Sequence, residues 1–195
     1  HNFISSVQIT ASHNPKEYNG MKISGKDALP IGFDSGLKFI KEKIDSNTPI
    51  IKASTKGKII DFDIKSEYLK FLKSYSSDYS DLKITVDCSN GMAGLIARDV
   101  LGNSPDFLYE KVDGSFPNHE ANPLDPKNVV DLQKAVLKNQ SDLGIIFDGD
   151  GDRVMFVDEK GQFISPDLII ALMGHYFLLE RGEKGAVLQD IRTSK

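Results

Sequence analysis

Leu143-Gly-Ile-Ile-Phe147, Asp148-Gly-Asp-Gly-Asp152-Arg153 and Val154-Met-Phe-Val157 follow one another without a gap. An apolar run of five residues is too short for a helix of its own and reads as a buried strand, and the second apolar run reads the same way. Between them lie three carboxylates at alternate positions, spaced by glycines. Glycine lets the backbone curl so that successive Asp side chains converge, and like charges brought that close repel unless a cation lies among them. Ligation by oxygen alone selects a hard ion, Mg²⁺ or Ca²⁺.

Outward from this stretch, strand and helix signals alternate, the pattern of layered α/β structure with mixed sheets and flanking helices. Strands are expected at Ser5–Ala11, Met21–Ser24, Leu82–Asp87, Phe107–Val112 and Ala186–Asp190, and helices at Asp34–Asp45, Ile64–Tyr75, Leu95–Leu101, Val129–Lys138 and Pro166–Leu179. Leu37, Ile40 and Ile44 share one face of the first helix, and Asn128 is placed to cap the fourth. Asn19-Gly20 predicts a tight turn with positive φ, putting Lys22 across a hairpin from the polar turn Ser12-His-Asn-Pro15. Lys52–Lys58 reads as a linker, and Asp113–Pro126 as a long irregular loop.

Composition bounds the function. The chain has 195 residues, 39% hydrophobic and 27% charged, with net charge −4. That balance argues against nucleic-acid and membrane-surface partners, which call for a basic excess, and no apolar run approaches the ~20 residues of a membrane span. The single cysteine, Cys88, cannot form an internal disulfide, lies in an apolar run and reads as a buried, inert thiol. A reducing, cytoplasmic setting is expected. The chain opens at His1 almost inside a strand and stops soon after another, so truncation at both ends is expected.

Several readings of the acidic loop compete. Asp148, Asp150, Asp152 and Glu159 fit positions of a helix–loop–helix calcium site, a non-enzymatic alternative, but Arg153 stands where that loop needs glycine. A strand ending in Asp-x-Asp-Gly also matches an aspartyl-nucleophile phosphatase with Asp148 attacking phosphorus, although that pattern does not use the third Asp or the Arg. His119 and Glu120 lack further spaced ligands and read as part of a structural loop. His175, in an apolar helix, reads as partly buried packing. Ser89-Asn-Gly-Met-Ala-Gly94 hints at phosphate on a helix N-terminus, without the three-glycine dinucleotide fingerprint.

Thr10-Ala-Ser-His-Asn-Pro15, Tyr18-Asn-Gly-Met-Lys22 and the Asp148–Arg153 loop together resemble the α-D-phosphohexomutase family in its bacterial phosphomannomutase/phosphoglucomutase branch, and Val86–Gly91 and Phe116–Pro126 resemble its second domain. The resemblance implies a partial multi-domain mutase: residues 1–55 as the end of domain one, 56–157 as a complete domain two, and 158–195 as the start of domain three. It implies Ser12 as the phosphoryl carrier, and one Mg²⁺ on Asp148, Asp150, Asp152 and an oxygen of the Ser12 phosphate. Lys22 matches a general acid/base or charge stabiliser, Arg153 an arginine orienting phosphoserine and sugar, and His13 a supporting neighbour. The implied activity is interconversion of hexose 1- and 6-phosphates through a bisphosphate, with a phosphorylated hexose as partner. Tyr18 tilts the choice toward mannose or glucose phosphate over glucosamine phosphate. The family's Glu-x-Ser-Gly-His sugar loop and its distal phosphate loop do not occur here, so this piece is expected to be inactive alone. Arg192 has little weight, and the oligomeric state is left open.

Overall fold

A computed structural model describes residues 3–188. The described residues fold as two compact units, one containing those up to Ala11 and Glu17–Ser74, the other Ser12–Lys16 and those from Tyr75 to Leu188.

The first unit is built on an antiparallel ribbon of β1 (Ser6–Ile9) and β2 (Met21–Ser24), in register Gln8↔Lys22 and Ile9↔Met21. The expected Asn19-Gly20 hairpin is not what closes it. Pairing stops at Thr10 N, which donates to Gly20 O at 3.0 Å, and neither Asn19 nor Gly20 takes a positive φ. Gly20 is required by close approach instead, since a Cβ there would sit 2.8 Å from Thr10 O. The left-handed residue in this connection is Ser12, at φ 57°.

Helix α1 runs over Lys38–Asp45 behind a π-turn at Phe33–Leu37, and α2 over Lys65–Lys73; neither buries a residue. The apolar face expected on α1 exists as a pattern, but Ile40 and Ile44 are 42% and 69% exposed. Helical periodicity defines a face without supplying a cover for it, and a two-stranded ribbon offers little apolar area. Residues 51–64 carry no regular structure apart from a bend and fall within the first unit.

The second unit holds the core. Its five-stranded sheet runs β4-β3-β5-β6-β7, where β3 is Ile84–Asp87, β4 Asp106–Leu108, β5 Leu143–Phe147, β6 Val154–Asp158 and β7 Phe163–Ile164. β3 is parallel to both β4 and β5, whereas β5–β6 and β6–β7 are antiparallel. A parallel return needs a crossover, supplied before β4 by α3 (Ala97–Leu101) and before β5 by α4 (Val130–Asn139).

Helix α4 buries Leu132 and Val136 against Ile146 and Val157. A second cluster joins Ile84, Val86, Cys88 and Ala97. Each large aliphatic side chain removed from water there contributes about 1.5–3 kcal/mol. Gly144 is required by this packing, because a Cβ would meet Val136 Cγ2 at 2.7 Å.

Three expectations need correction. β4 ends at Leu108, not Val112, because Tyr109 turns to φ 51° and leaves the extended region. The cap of the 126–128 turn leading into α4 is Asp125, whose side chain accepts from Lys127 N at 3.1 Å, while Asn128 donates its amide to Asn122 O at 2.9 Å. The last apolar helix is α5 (Pro166–His175), continued as a π-turn, and His175 is exposed and paired with Glu180 at 3.3 Å. Residues 186–188 are not in a strand, and the remainder of that expected strand lies outside the described residues, as does Arg192.

Candidate functional site

The loop 148–153 joins β5 to β6 as the tip of a hairpin. Asp148 N donates to Arg153 O at 3.2 Å, Gly151 N to Asp148 O at 3.2 Å and Arg153 N to Asp148 Oδ1 at 3.1 Å. Gly151, at φ 74°, makes the reversal that a residue with Cβ would resist. The loop is therefore wound around its first carboxylate. A strand stands on either side, where an EF-hand has helices, so the helix–loop–helix calcium reading finds no support in the fold.

Asp148, Asp150 and Asp152 each offer a carboxylate oxygen, all within 4.8 Å of one another, grading from buried Asp148 to exposed Asp152. Asp148 Oδ2 is buried and accepts no hydrogen bond; Arg153 Nε stands 3.6 Å from it and 3.8 Å from Asp152 Oδ1. Burial pushes the Asp148 carboxyl above the ordinary carboxylate value; the Asp150 and Asp152 charges add to the rise, against the Arg153 backbone N–H and guanidinium. A buried acceptor without a donor, in an all-oxygen cluster of like charge, fits a hard divalent cation.

Ser12 belongs to the same unit. Arg153 Nη2 donates to Ser12 Oγ at 3.0 Å, and His13 Nδ1 lies 3.3 Å from the same oxygen. The Ser12 backbone also touches the loop, since a Cβ on Gly149 would come within 2.5 Å of Ser12 O. The structure thus brings together Ser12, His13, Arg153 and the three aspartates. Lys22 is placed on β2, in the first unit.

One contributor escaped the sequence reading. The Ser89–Gly94 turn does not offer its N–H groups outward to phosphate; Met92 N donates to Gly149 O at 2.9 Å. Gly91 is required there, its Cβ being excluded by Gly149 O at 2.7 Å. The glycine spacing was the available signal, and it marks support for the acidic loop. Cys88, at the start of this turn, is fully buried, with its thiol pushed up to about 12 by burial and then by the Asp87 and Glu110 charges.

Sheet and loop define the class: a layered α/β protein whose central strand ends in a carboxylate cluster able to hold a metal ion. Residues 66–161 match the family model for phosphoglucomutase/phosphomannomutase, alpha/beta/alpha domain II, and residues 1–50 match that for domain I. The chain is 34% identical over 199 residues to a phosphomannomutase of Escherichia coli, covering 96% of this chain and 44% of the relative. It is 36% identical over 196 residues to a phosphomannomutase/phosphoglucomutase of Pseudomonas aeruginosa, covering 98% and 41%. Among solved structures, a phosphoglucomutase/phosphomannomutase family protein from Burkholderia thailandensis superposes with a TM-score of 0.78 at 30% identity, over 91% of this chain and 38% of that one. The chain belongs to the α-D-phosphohexomutase family, and it spans less than half the length of these relatives.

Proposed function

We propose that this chain carries the phosphoryl-transfer half of a phosphohexose mutase acting on mannose or glucose phosphate, with Ser12 as the phosphoryl carrier. The observation that carries the reading is the Arg153–Ser12 hydrogen bond beside the carboxylate cluster. Family membership supports the substrate class.

Phosphoryl transfer asks a protein mainly for positioning and for neutralisation of charge spread over the phosphoryl oxygens. Arg153 meets both demands: its fork donates toward Oγ, and its Nε side faces Asp148 and Asp152, which fix the guanidinium plane. Ser12, strained at φ 57°, projects from a turn that few side chains adopt without such supports. His13 lies within hydrogen-bonding distance of Oγ and orients it. Lys22 is assigned the general acid/base or charge-stabilising role at the sugar oxygen. Asp148, Asp150 and Asp152, with an oxygen of the carried phosphate, would hold one Mg²⁺, which when bound supplies positive charge to the transferring group. The phosphate would pass from Ser12 to a sugar hydroxyl, and the second phosphate of the resulting hexose bisphosphate would return to the serine. The sugar-recognition and distal phosphate motifs of the family do not occur in these residues, so full turnover needs more of the protein than this.

Intact mass spectrometry after incubation with a hexose 1,6-bisphosphate and Mg²⁺ tests the reading. One added phosphate, localised to Ser12 and lost in Ser12→Ala, is expected; phosphate on Asp148 in place of Ser12 overturns it.

A further inference from the structure

The 113–126 loop contains a histidine whose two ring nitrogens both face oxygen. His119 Nδ1 lies 2.9 Å from Glu120 O and Nε2 lies 3.1 Å from Asp87 Oδ2. A carbonyl oxygen only accepts, so Nδ1 carries a hydrogen. Asp87 accepts from Ser89 N on its other oxygen at 2.8 Å, and a protonated Nε2 donates to Oδ2. A ring donating from both nitrogens is an imidazolium. The pair is closed to water, with side chains 7% and 0% exposed. Tyr109 stands edge-on to the ring at 5.3 Å, and its hydroxyl donates to Asp131 at 2.8 Å.

Ion pairs buried like this are costly to form, and the best-attested reason for keeping one is to fix a register. This pair ties together two segments that both reach Gly149. Asp87 opens the 88–94 turn, whose Met92 N holds Gly149 O. On the other segment, Phe116 and Ala121 flank His119 in sequence, and both pack where a Gly149 Cβ would lie, at 3.6 and 3.4 Å, on a glycine that also abuts Ser12 O. Asn118 adds a second tie, its amide donating to Asn90 Oδ1 at 2.8 Å.

We propose that His119 is a positioning residue: its ion pair with Asp87 clamps the 113–126 loop to the 88–94 turn and thereby fixes Gly149, and with it the Asp148 carboxylate, against Ser12. The proposal rests on reading the acidic loop as a metal site, but the clamp itself can be measured without metal.

Amide hydrogen exchange on the 195-residue chain, with Mn²⁺ titration beside it, decides the matter. In His119→Gln, the amides of Met92 and of residues 148–153 should exchange about tenfold faster while those of α4 keep their protection, and Mn²⁺ affinity should fall about tenfold, the lower end for lost outer-shell support. Asp87→Asn should do the same, and the double variant should be no worse than either single one. Unchanged exchange at residues 148–153, or equal acceleration throughout the unit, overturns the clamp. Should either variant fail to fold, the wild-type chain supplies the test. Burial alone would lower the His119 pKa, but the Asp87 and Glu120 hydrogen bonds, with the Asp87 and Asp131 charges, hold it above the usual histidine value. The contribution is therefore complete below about pH 6.5 and is lost as pH rises through the elevated value. Protection of residues 148–153, corrected for intrinsic rates, should decline across that window; a flat profile overturns the proposal. Wild-type protein that binds no Mn²⁺ overturns the metal reading, and the exchange data still judge the clamp.

Discussion

Arg153 and Ser12 are 141 positions apart in the chain and meet side chain to side chain, Nη2 donating to Oγ at 3.0 Å. The same guanidinium faces Asp148 across 3.6 Å through Nε. One rigid planar cation thus joins the proposed phosphoryl carrier to the buried end of the carboxylate cluster, a task for which the shape of arginine matters as much as its charge.

Arg153→Lys keeps the charge and loses the fork. Lysine cannot face Asp148 and donate to Ser12 from two fixed nitrogens at once. The rate of Ser12 phosphorylation by hexose bisphosphate should fall about a hundredfold, within the range of losing one preorganised donor to a transferring group, with the thermal midpoint nearly unchanged. Quench-flow with intact-mass detection measures the rate; a wild-type rate in the variant would falsify the bridging role.

Gly149→Ala introduces a Cβ 2.5 Å from Ser12 O. A backbone oxygen cannot rotate away as a side-chain tip can, so the loop or the Ser12 turn must shift. Destabilisation of about 1–3 kcal/mol is expected from such overpacking, with weakened Mn²⁺ binding. Urea unfolding and metal titration read the two effects, and a stable variant of undiminished affinity would contradict the close approach.

Asp148 sits in the fold with a carboxyl pushed up by burial and by its acidic neighbours. The folded state holds that proton at higher pH than the unfolded chain does, so this group's contribution disfavours folding above the raised value and disappears below the ordinary 3.8. In metal-free protein, Asp148→Asn should raise the melting temperature near neutral pH by about 2–4 °C, the equivalent of about 1 kcal/mol at this chain length, and should abolish Mn²⁺ binding. A lower melting temperature without metal would mean that the buried carboxylate is not under strain.

Cys88 should resist alkylation in the native state. Its thiol is fully buried and pushed up to about 12, leaving almost no thiolate at neutral pH. Iodoacetamide labelling should follow unfolding in urea; rapid native labelling would show that the β3 end opens readily.

The residues themselves determined the strand at Leu143–Phe147, the carboxylate cluster in the loop at its end and the family resemblance, because each is written in residue type and in short spacings. Asn19-Gly20 shows where such local signals stop: the dipeptide permits a positive φ, but strand pairing through Thr10 and Gly20 left that conformation to Ser12. Only the tertiary structure decided that Arg153 reaches Ser12, that Gly91 and Gly149 are glycines because two backbones touch, and that His119 pairs with Asp87 32 positions away. Those contacts depend on sheet order and on how each loop returns to the sheet, and short-range periodicity carries no record of either.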